Sequence, residues 1–170
     1  MPTIEYRRTV DASASIVWDV ITDHELYAEA TPNLERVDVI EGEGDSMIRR
    51  CVDTAGNEWT ETCTYWTAGE RFSVSVDVAG SDFHRRVFSR FEGEWGLSES
   101  ADGVEIIIAF DFEPRFGPLG RLISKYLAYK APFLIEPIFD RWESAIESRT
   151  RELSTAECPP AADGRSVNVV

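Results

Sequence analysis

Glu61 stands among aromatic residues in the run Glu58-Trp59-Thr60-Glu61-Thr62-Cys63-Thr64-Tyr65-Trp66. Read as a strand, the run puts Trp59, Glu61, Cys63 and Tyr65 on one face and Thr60, Thr62 and Thr64 on the other. The first face is the more apolar, so it is expected to point inward. A carboxyl group buried there without a partner would have a raised pKa and be suited to proton transfer, with Tyr65 as the second acid/base candidate. The alternative is that Glu61 pairs with an arginine such as Arg49 or Arg85, or lies near a rim, and has no chemical role.

Other reactive residue types point to less. His24 lies in Asp23-His24-Glu25 and His84 precedes Arg85-Arg86; either could serve as a base, but both read first as solvated surface residues. Cys51, Cys63 and Cys158 are widely spaced and odd in number, so neither a disulfide framework nor a metal-ligand pattern is expected. With two histidines in the chain, a tetrahedral zinc site is not expected. There is no phosphate-cradling glycine loop and no serine in a nucleophile-elbow context. No cofactor is therefore assigned.

The elements that must carry these residues follow from periodicity. Ile4, Tyr6 and Val10 alternate with polar residues as in an edge strand. Ser13 and Asp23 can each cap a short helix, and Thr31-Pro32 stops the second. Six strands are then expected, with hairpin-like spacing: around Val37–Val39, Met47–Val52, Glu58–Trp66, Phe72–Val78, His84–Leu97 and Val104–Phe112. Their apolar faces are Phe72, Val74, Val76 and Val78; Val87, Phe91, Trp95 and Leu97; and Val104, Ile106, Ile108, Phe110 and Phe112. A long helical segment closes the chain, from about Gly117 to Leu153, with Leu119, Leu122, Ile123, Tyr126, Phe133, Leu134, Ile138, Trp142 and Ile146 at helical spacing. Pro132 and Pro137 inside it are expected to kink or split it. Such a helix, gripped by a curved antiparallel sheet, would leave a lined cavity. Its walls are expected to include Trp59, Cys63, Phe72, Val74, Phe91, Trp95, Ile108, Phe110, Leu122, Tyr126 and Phe133. The domain is expected over residues 1–153, with 154–170 a disordered tail.

Charge adds one local feature. The chain has net charge -14, yet no Asp or Glu occurs from Pro114 to Ile135. That stretch holds the chain's two lysines, Lys125 and Lys130, with Arg115 and Arg121. It is a candidate docking patch for an anionic membrane surface or an acidic acyl-carrier protein, set against the plainer reading of a favourable local field. The acidity elsewhere excludes a general nucleic-acid binder. It fits adaptation to high internal salt or simply a GC-rich genome. Without a signal-peptide apolar region or a transmembrane-length run, and with few cysteines, a cytoplasmic protein is expected.

The order of elements resembles the SRPBCC superfamily, an α+β class with the START-like or helix-grip fold. The residues carrying the resemblance are Val10-Asp11-Ala12-Ser13-Ala14-Ser15-Ile16-Val17-Trp18-Asp19-Val20-Ile21-Thr22-Asp23, at the end of the first strand and the first helix. Glu92-Gly93-Glu94-Trp95, Asp102-Gly103-Val104, Phe112-Glu113-Pro114 and Gly117-Pro118-Leu119-Gly120-Arg121-Leu122 are similar to its polyketide cyclase/dehydrase branch. The resemblance implies about seven strands wrapped around the C-terminal helix, two short helices after strand one, and an apolar cavity for lipids, quinones, polyketides or hormones. It implies a carrier or binding protein for a hydrophobic small molecule, or else a polyketide cyclase or dehydratase. A third implied class is a protein-interaction role with ribosomes or chaperones, and the acidity weakens the ribosomal version. Aromatase/cyclases of the superfamily hold the polyketide with an arginine on the strand matching Glu58–Trp66. Here that stretch is Thr60-Glu61-Thr62-Cys63-Thr64, and the role is not transferred to Thr62.

Overall fold

The computed structural model describes residues 3–156, with the side chains of 117–119 and 156 excepted. The elements run β1 (Thr3–Val10), α1 (Ala14–Ile21), α2 (His24–Ala30), β2 (Leu34–Glu41), β3 (Ile48–Asp53), β4 (Glu58–Thr67), β5 (Arg71–Val76), α3 (His84–Val87), β6 (Phe88–Ser100), β7 (Gly103–Pro114) and α4 (Gly117–Ala156). The strands form one antiparallel sheet in the order β1-β7-β6-β5-β4-β3-β2. Consecutive strands from β2 to β7 pair as hairpins, and β1 closes against β7. The architecture is the helix-grip fold, as expected. Residues from 157 onward, Cys158 included, lie outside the described residues, and α4 runs to Ala156, past the expected start of the tail.

Local chemistry accounts for the helix ends. Asp23 caps α2 by accepting the Leu26 amide at 3.0 Å. Ser13 occupies the capping position of α1 but its hydroxyl meets Ser15 Oγ at 3.1 Å, so it does not cap through its side chain. Thr31 is extended ahead of Pro32, and Asn33 follows with φ 69, a left-handed conformation asparagine tolerates. This corner carries the chain from α2 into edge strand β2.

The expected strand over His84–Leu97 is corrected at its start: His84–Val87 is the single helical turn α3. Ser81 causes it. Its hydroxyl accepts the His84 amide at 3.2 Å, and its carbonyl accepts the Arg85 amide at 3.1 Å. Of the two outcomes expected for the long helix, a kink or a split, the split does not occur: α4 is continuous through Pro132 and Pro137. Each proline still lacks the amide that would bond the carbonyl four residues back, at Ala128 and Phe133.

The two halves of α4 meet different surroundings. Its C-terminal half buries Ile135, Ile138, Phe139, Trp142 and Ile146 against Val17, Val20 and Ile21 of α1 and against Trp95, Val104, Ile106 and Ile108 of the sheet. Arg8 of β1 fastens this half by pairing with Glu136, Asp140 (2.9 Å) and Glu143 (3.1 Å). Arg141–Glu29 and Arg149–Asp23 tie it to α2, at 2.7 Å and 2.8 Å. The N-terminal half spans the open end of the sheet, over a separate apolar cluster of Val76, Val78, Phe88 and Phe112. A void remains between the sheet and this half.

Candidate ligand cavity

The void has two adjoining lobes that share Tyr27, Thr31, Phe83, His84, Phe91 and Phe110. The larger lobe, ≈ 530 Å³, lies under α4 between Ile123, Leu127, Ala131 and Ile135 and the wall of Phe88 and Phe112. The smaller, ≈ 300 Å³, reaches toward β3 and β4, where Cys51, Trp59 and Glu61 meet Val74, Gly93 and Trp95. Pro32, half-exposed Phe83 and Leu134 rim both lobes.

Of the residues expected to line a cavity, Trp59, Val74, Phe91, Trp95, Phe110 and Tyr126 do so. Cys63, Phe72 and Ile108 are buried in packed core instead. Phe72 stacks on Trp95 with centroids 5.2 Å apart and touches Trp66 and Trp18, leaving no free volume at that point. Leu122 and Phe133 are corrected outright: they are 64% and 65% exposed, on the side of α4 away from the sheet. Helical spacing alone does not separate the two sides when both carry apolar residues.

Tyr65 is likewise corrected. A register shift between Cys63 and Tyr65 in the β4–β5 pairing sets Tyr65 opposite Ser73 and Trp66 opposite Phe72. The strict alternation from Trp59 fails there, so Trp66 packs against the core and Tyr65 faces solvent. Its phenol accepts a hydrogen bond from Thr67 at 2.8 Å, and the Arg71 guanidinium covers its ring. The Thr67 hydrogen bond and then Arg71 lower its pKa. Glu61 and Tyr65 therefore cannot act on one bound molecule.

Glu61 is buried on the cavity wall but not alone. Arg49 stands directly opposite in the β3–β4 register. Its Nε donates to Glu61 Oε2 at 2.7 Å, and Nη2 lies 2.7 Å from the same oxygen. Trp59 Nε1 donates to Oε1 at 2.8 Å. Burial alone would raise the Glu61 pKa, but the Arg49 charge, with the Trp59 and Arg49 hydrogen bonds, overrides it and holds the pKa below the usual value. The carboxylate is thus ionised and engaged at both oxygens, as in the alternative reading of the sequence. Arg49, 1% exposed, is in turn held between the rings of Tyr27 and Trp95 at 5.4 Å and 5.3 Å. His24 Nδ1 lies 3.3 Å from Arg49 Nη1. Burial, then the Arg49 charge, lowers the His24 pKa to about 4.

His84 is the functional candidate that the sequence reading ranked below a solvated surface role. It is 7% exposed rather than solvated, and it lines both lobes. Trp59, Phe88 and Phe91 surround its ring. Burial lowers its pKa, so it is neutral near pH 7. Its Nδ1 lies 2.8 Å from Ser81 Oγ. That oxygen already accepts the His84 amide, so its own proton is available to Nδ1. In the tautomer in which Ser81 donates to Nδ1, the ring proton is on Nε2, which has no protein partner among the described residues. The signal was Ser81-Asp82-Phe83-His84, a serine three residues ahead of a histidine, which reads as a capped turn.

Gly93 shapes the same wall. A Cβ there would come within 2.6 Å and 2.7 Å of the Trp95 ring. The missing side chain lets the indole lie flat across β6, and Trp95 occupies space that would otherwise join the cavity. Among the described residues no group of His, Cys, Asp and Glu could hold a metal ion. Cys51 and Cys63 are free and buried. No helix among the described residues is long and apolar enough to cross a membrane.

A sheet gripping a helix over an apolar cavity is the build of START-like proteins, and residues 1–131 match the family model for polyketide cyclase / dehydrase and lipid transport. The chain belongs to that family. Solved structures with the same fold include the Zhui aromatase/cyclase of a Streptomyces species (21% identity, 96% of this chain and 98% of that one, TM-score 0.61). A START superfamily protein of Mycobacterium smegmatis matches at 16% identity over 86% of this chain and 97% of that one, with TM-score 0.64. Norcoclaurine synthase from Thalictrum matches at 14% identity over 88% and 96%, with TM-score 0.67. At these identities the likeness is one of fold. No curated protein matches the chain.

Proposed function

We propose that the protein binds and carries a hydrophobic small molecule, lipid-, quinone- or polyketide-like, with its apolar body in the larger lobe and one polar atom at His84. The observation that carries this reading is the pairing of an apolar lobe with the open Nε2 edge of buried His84 at the junction of the lobes, a donor when Ser81 donates to Nδ1. The Arg49–Glu61 pair is self-neutralised and offers a ligand no net charge; the other charged lining residues are Lys130 at the larger lobe and Asp53 at the smaller. A carbonyl or hydroxyl oxygen suits the donor better than a carboxylate would suit this dry pocket. The family description, which names both cyclase/dehydrase and lipid transport, is compatible with this choice.

The reading of a cyclase or dehydratase that uses Glu61 and Tyr65 loses support, because Tyr65 is on the outer face and Glu61 is held by Arg49 and Trp59. An enzyme reading would have to rest on His84.

The test uses two fluorescent probes of similar shape, 2-acetylanthracene, which has an acceptor oxygen, and 2-ethylanthracene, which has none. The wild type should prefer the acetyl compound by about fivefold or more, the worth of one hydrogen bond made in a dry site. His84→Phe should erase the preference while still binding 2-ethylanthracene, and His84→Gln, which keeps a donor near the Nε2 position, should retain much of it. An unchanged preference in His84→Phe would remove His84 from the account. Failure of both probes to bind the wild type would remove the cavity reading itself.

A further inference from the structure

Four large side chains on α4 stay mostly exposed, and of these only Tyr126 reaches the edge of the cavity. Leu122, Tyr126, Tyr129 and Phe133 are 64%, 59%, 67% and 65% exposed. Their spacing is four, three and four residues, which on a helix makes one straight stripe. Phe133 is two residues beyond buried Ala131, a turn of about 200°, so the stripe faces away from the sheet. The stripe is confined to the N-terminal half of α4, which roofs the larger lobe, and Tyr126 borders that lobe.

Charge frames the stripe. At about 100° per residue, Lys125 and Lys130 lie about 70° to either side of it, with Arg121 beyond Lys125. Lys130 also lies over the rings of Tyr129 and Phe133, at 5.8 Å and 5.5 Å. Arg115 differs from the other cations of the stretch: its Nε donates to the Phe88 carbonyl at 2.9 Å, so it helps to hold the start of α4 to β6. No acidic residue occurs from Pro114 to Ile135 in a chain of net charge -14.

We infer that this face of α4 is a docking surface for an anionic lipid bilayer, which brings the roof of the larger lobe to the membrane. Three occupants would cover apolar side chains, and the charges choose between them. A second copy packed stripe to stripe would bring lysines against lysines with no carboxylate in the stretch to answer them. An acidic carrier protein would answer the cations but has no stated use for four exposed apolar side chains. A bilayer with anionic headgroups takes both: aromatic rings settle at the headgroup level, and flanking lysines reach the phosphates while their stems cover apolar surface. The acidic remainder of the molecule is repelled by the same surface, which orients the approach. The inference rests on the carrier reading only for what is picked up; docking itself needs no ligand.

The experiment is co-sedimentation of the full chain with phosphatidylcholine vesicles that contain or lack phosphatidylserine. The wild type should bind the anionic vesicles, and more weakly as salt rises. Lys125→Glu with Lys130→Glu should weaken binding by more than about tenfold, since each surface cation contributes a factor of several. Leu122→Ser with Phe133→Ser should abolish binding while leaving the affinity for free 2-ethylanthracene unchanged, which also shows that these surface variants are folded. A Tyr129→Trp variant should show blue-shifted indole emission on anionic vesicles as the ring enters the interface. Three results would overturn the inference: no wild-type binding to either vesicle while 2-ethylanthracene still binds; vesicle binding indifferent to both pairs of changes; or a stripe-dependent dimer, or acyl-carrier complex, in place of vesicle binding. Vesicle binding by a protein that takes up neither anthracene probe would instead support docking and sink the carrier reading.

Discussion

Glu61 and Arg49 decide what the cavity wall can do. Removing two charges from water costs several kcal/mol per ion, and only close pairing with satisfied hydrogen bonds repays it. Here the carboxylate receives Arg49 and Trp59, while the guanidinium lies between two aromatic faces. Arg49→Ala should therefore destabilise by roughly 3–5 kcal/mol, because it strands a buried carboxylate. Arg49→Met combined with Glu61→Gln removes both charges and keeps an acceptor for Trp59, so it should recover most of that loss in urea unfolding. If the double variant is as unstable as the single one, the two residues are not coupled in this way. The same cluster sets a pH dependence. His24 is held near 4 in the folded protein, by burial first and Arg49 second, with Asp23 and Glu61 opposing. The unfolded chain takes up that proton near pH 6.5. Stability present above about 6.5 should thus fall as pH drops toward 4, and the depressed Glu61 pKa adds a loss of the same sign at lower pH. Urea midpoints between about pH 7 and about pH 5 should show the fall, and His24→Gln should reduce it without abolishing it, because the lowered pKa of buried His84 adds a loss of the same sign. A midpoint that stays level or rises toward acid would contradict this account.

At the scale of elements, the strands were legible because period-two alternation and glycine turns mark them one hairpin at a time. β7 shows it best, with Val104, Ile106, Ile108 and Phe112 all buried. The site was legible only in part, and each miss has a physical reason. A bulge reset the alternation in β4, so Tyr65 left the inner face that Glu61 kept. Ser81 turned the expected start of β6 into α3, and so carried His84 into the cavity. In α4 both sides carry apolar residues, so spacing found the helix but not the side that faces the sheet. Leu122 and Phe133 read as cavity wall for that reason. The Arg49–Glu61 pair was legible as an alternative, because β3 and β4 are consecutive strands of one hairpin; what the sequence left open was whether Arg49 or Arg85 would be the partner.

For the molecule as a whole, the division along α4 matters most. One half is buried against α1 and the sheet and fastened by Arg8, Arg141 and Arg149. The other roofs an apolar cavity and turns an aromatic, cationic face to solvent. Apolar packing and ion pairs are concentrated in the first half and the cavity in the second. That arrangement leads to the central claim, that the cavity holds a mostly hydrocarbon molecule anchored by one oxygen. Native mass spectrometry of the chain purified from its own host tests it most directly. The account predicts a stoichiometric small-molecule adduct containing at least one oxygen, lost in a folded Val87→Trp variant whose indole fills the larger lobe. A wild-type spectrum of bare protein, from a sample that also fails to take up added 2-acetylanthracene, would contradict it.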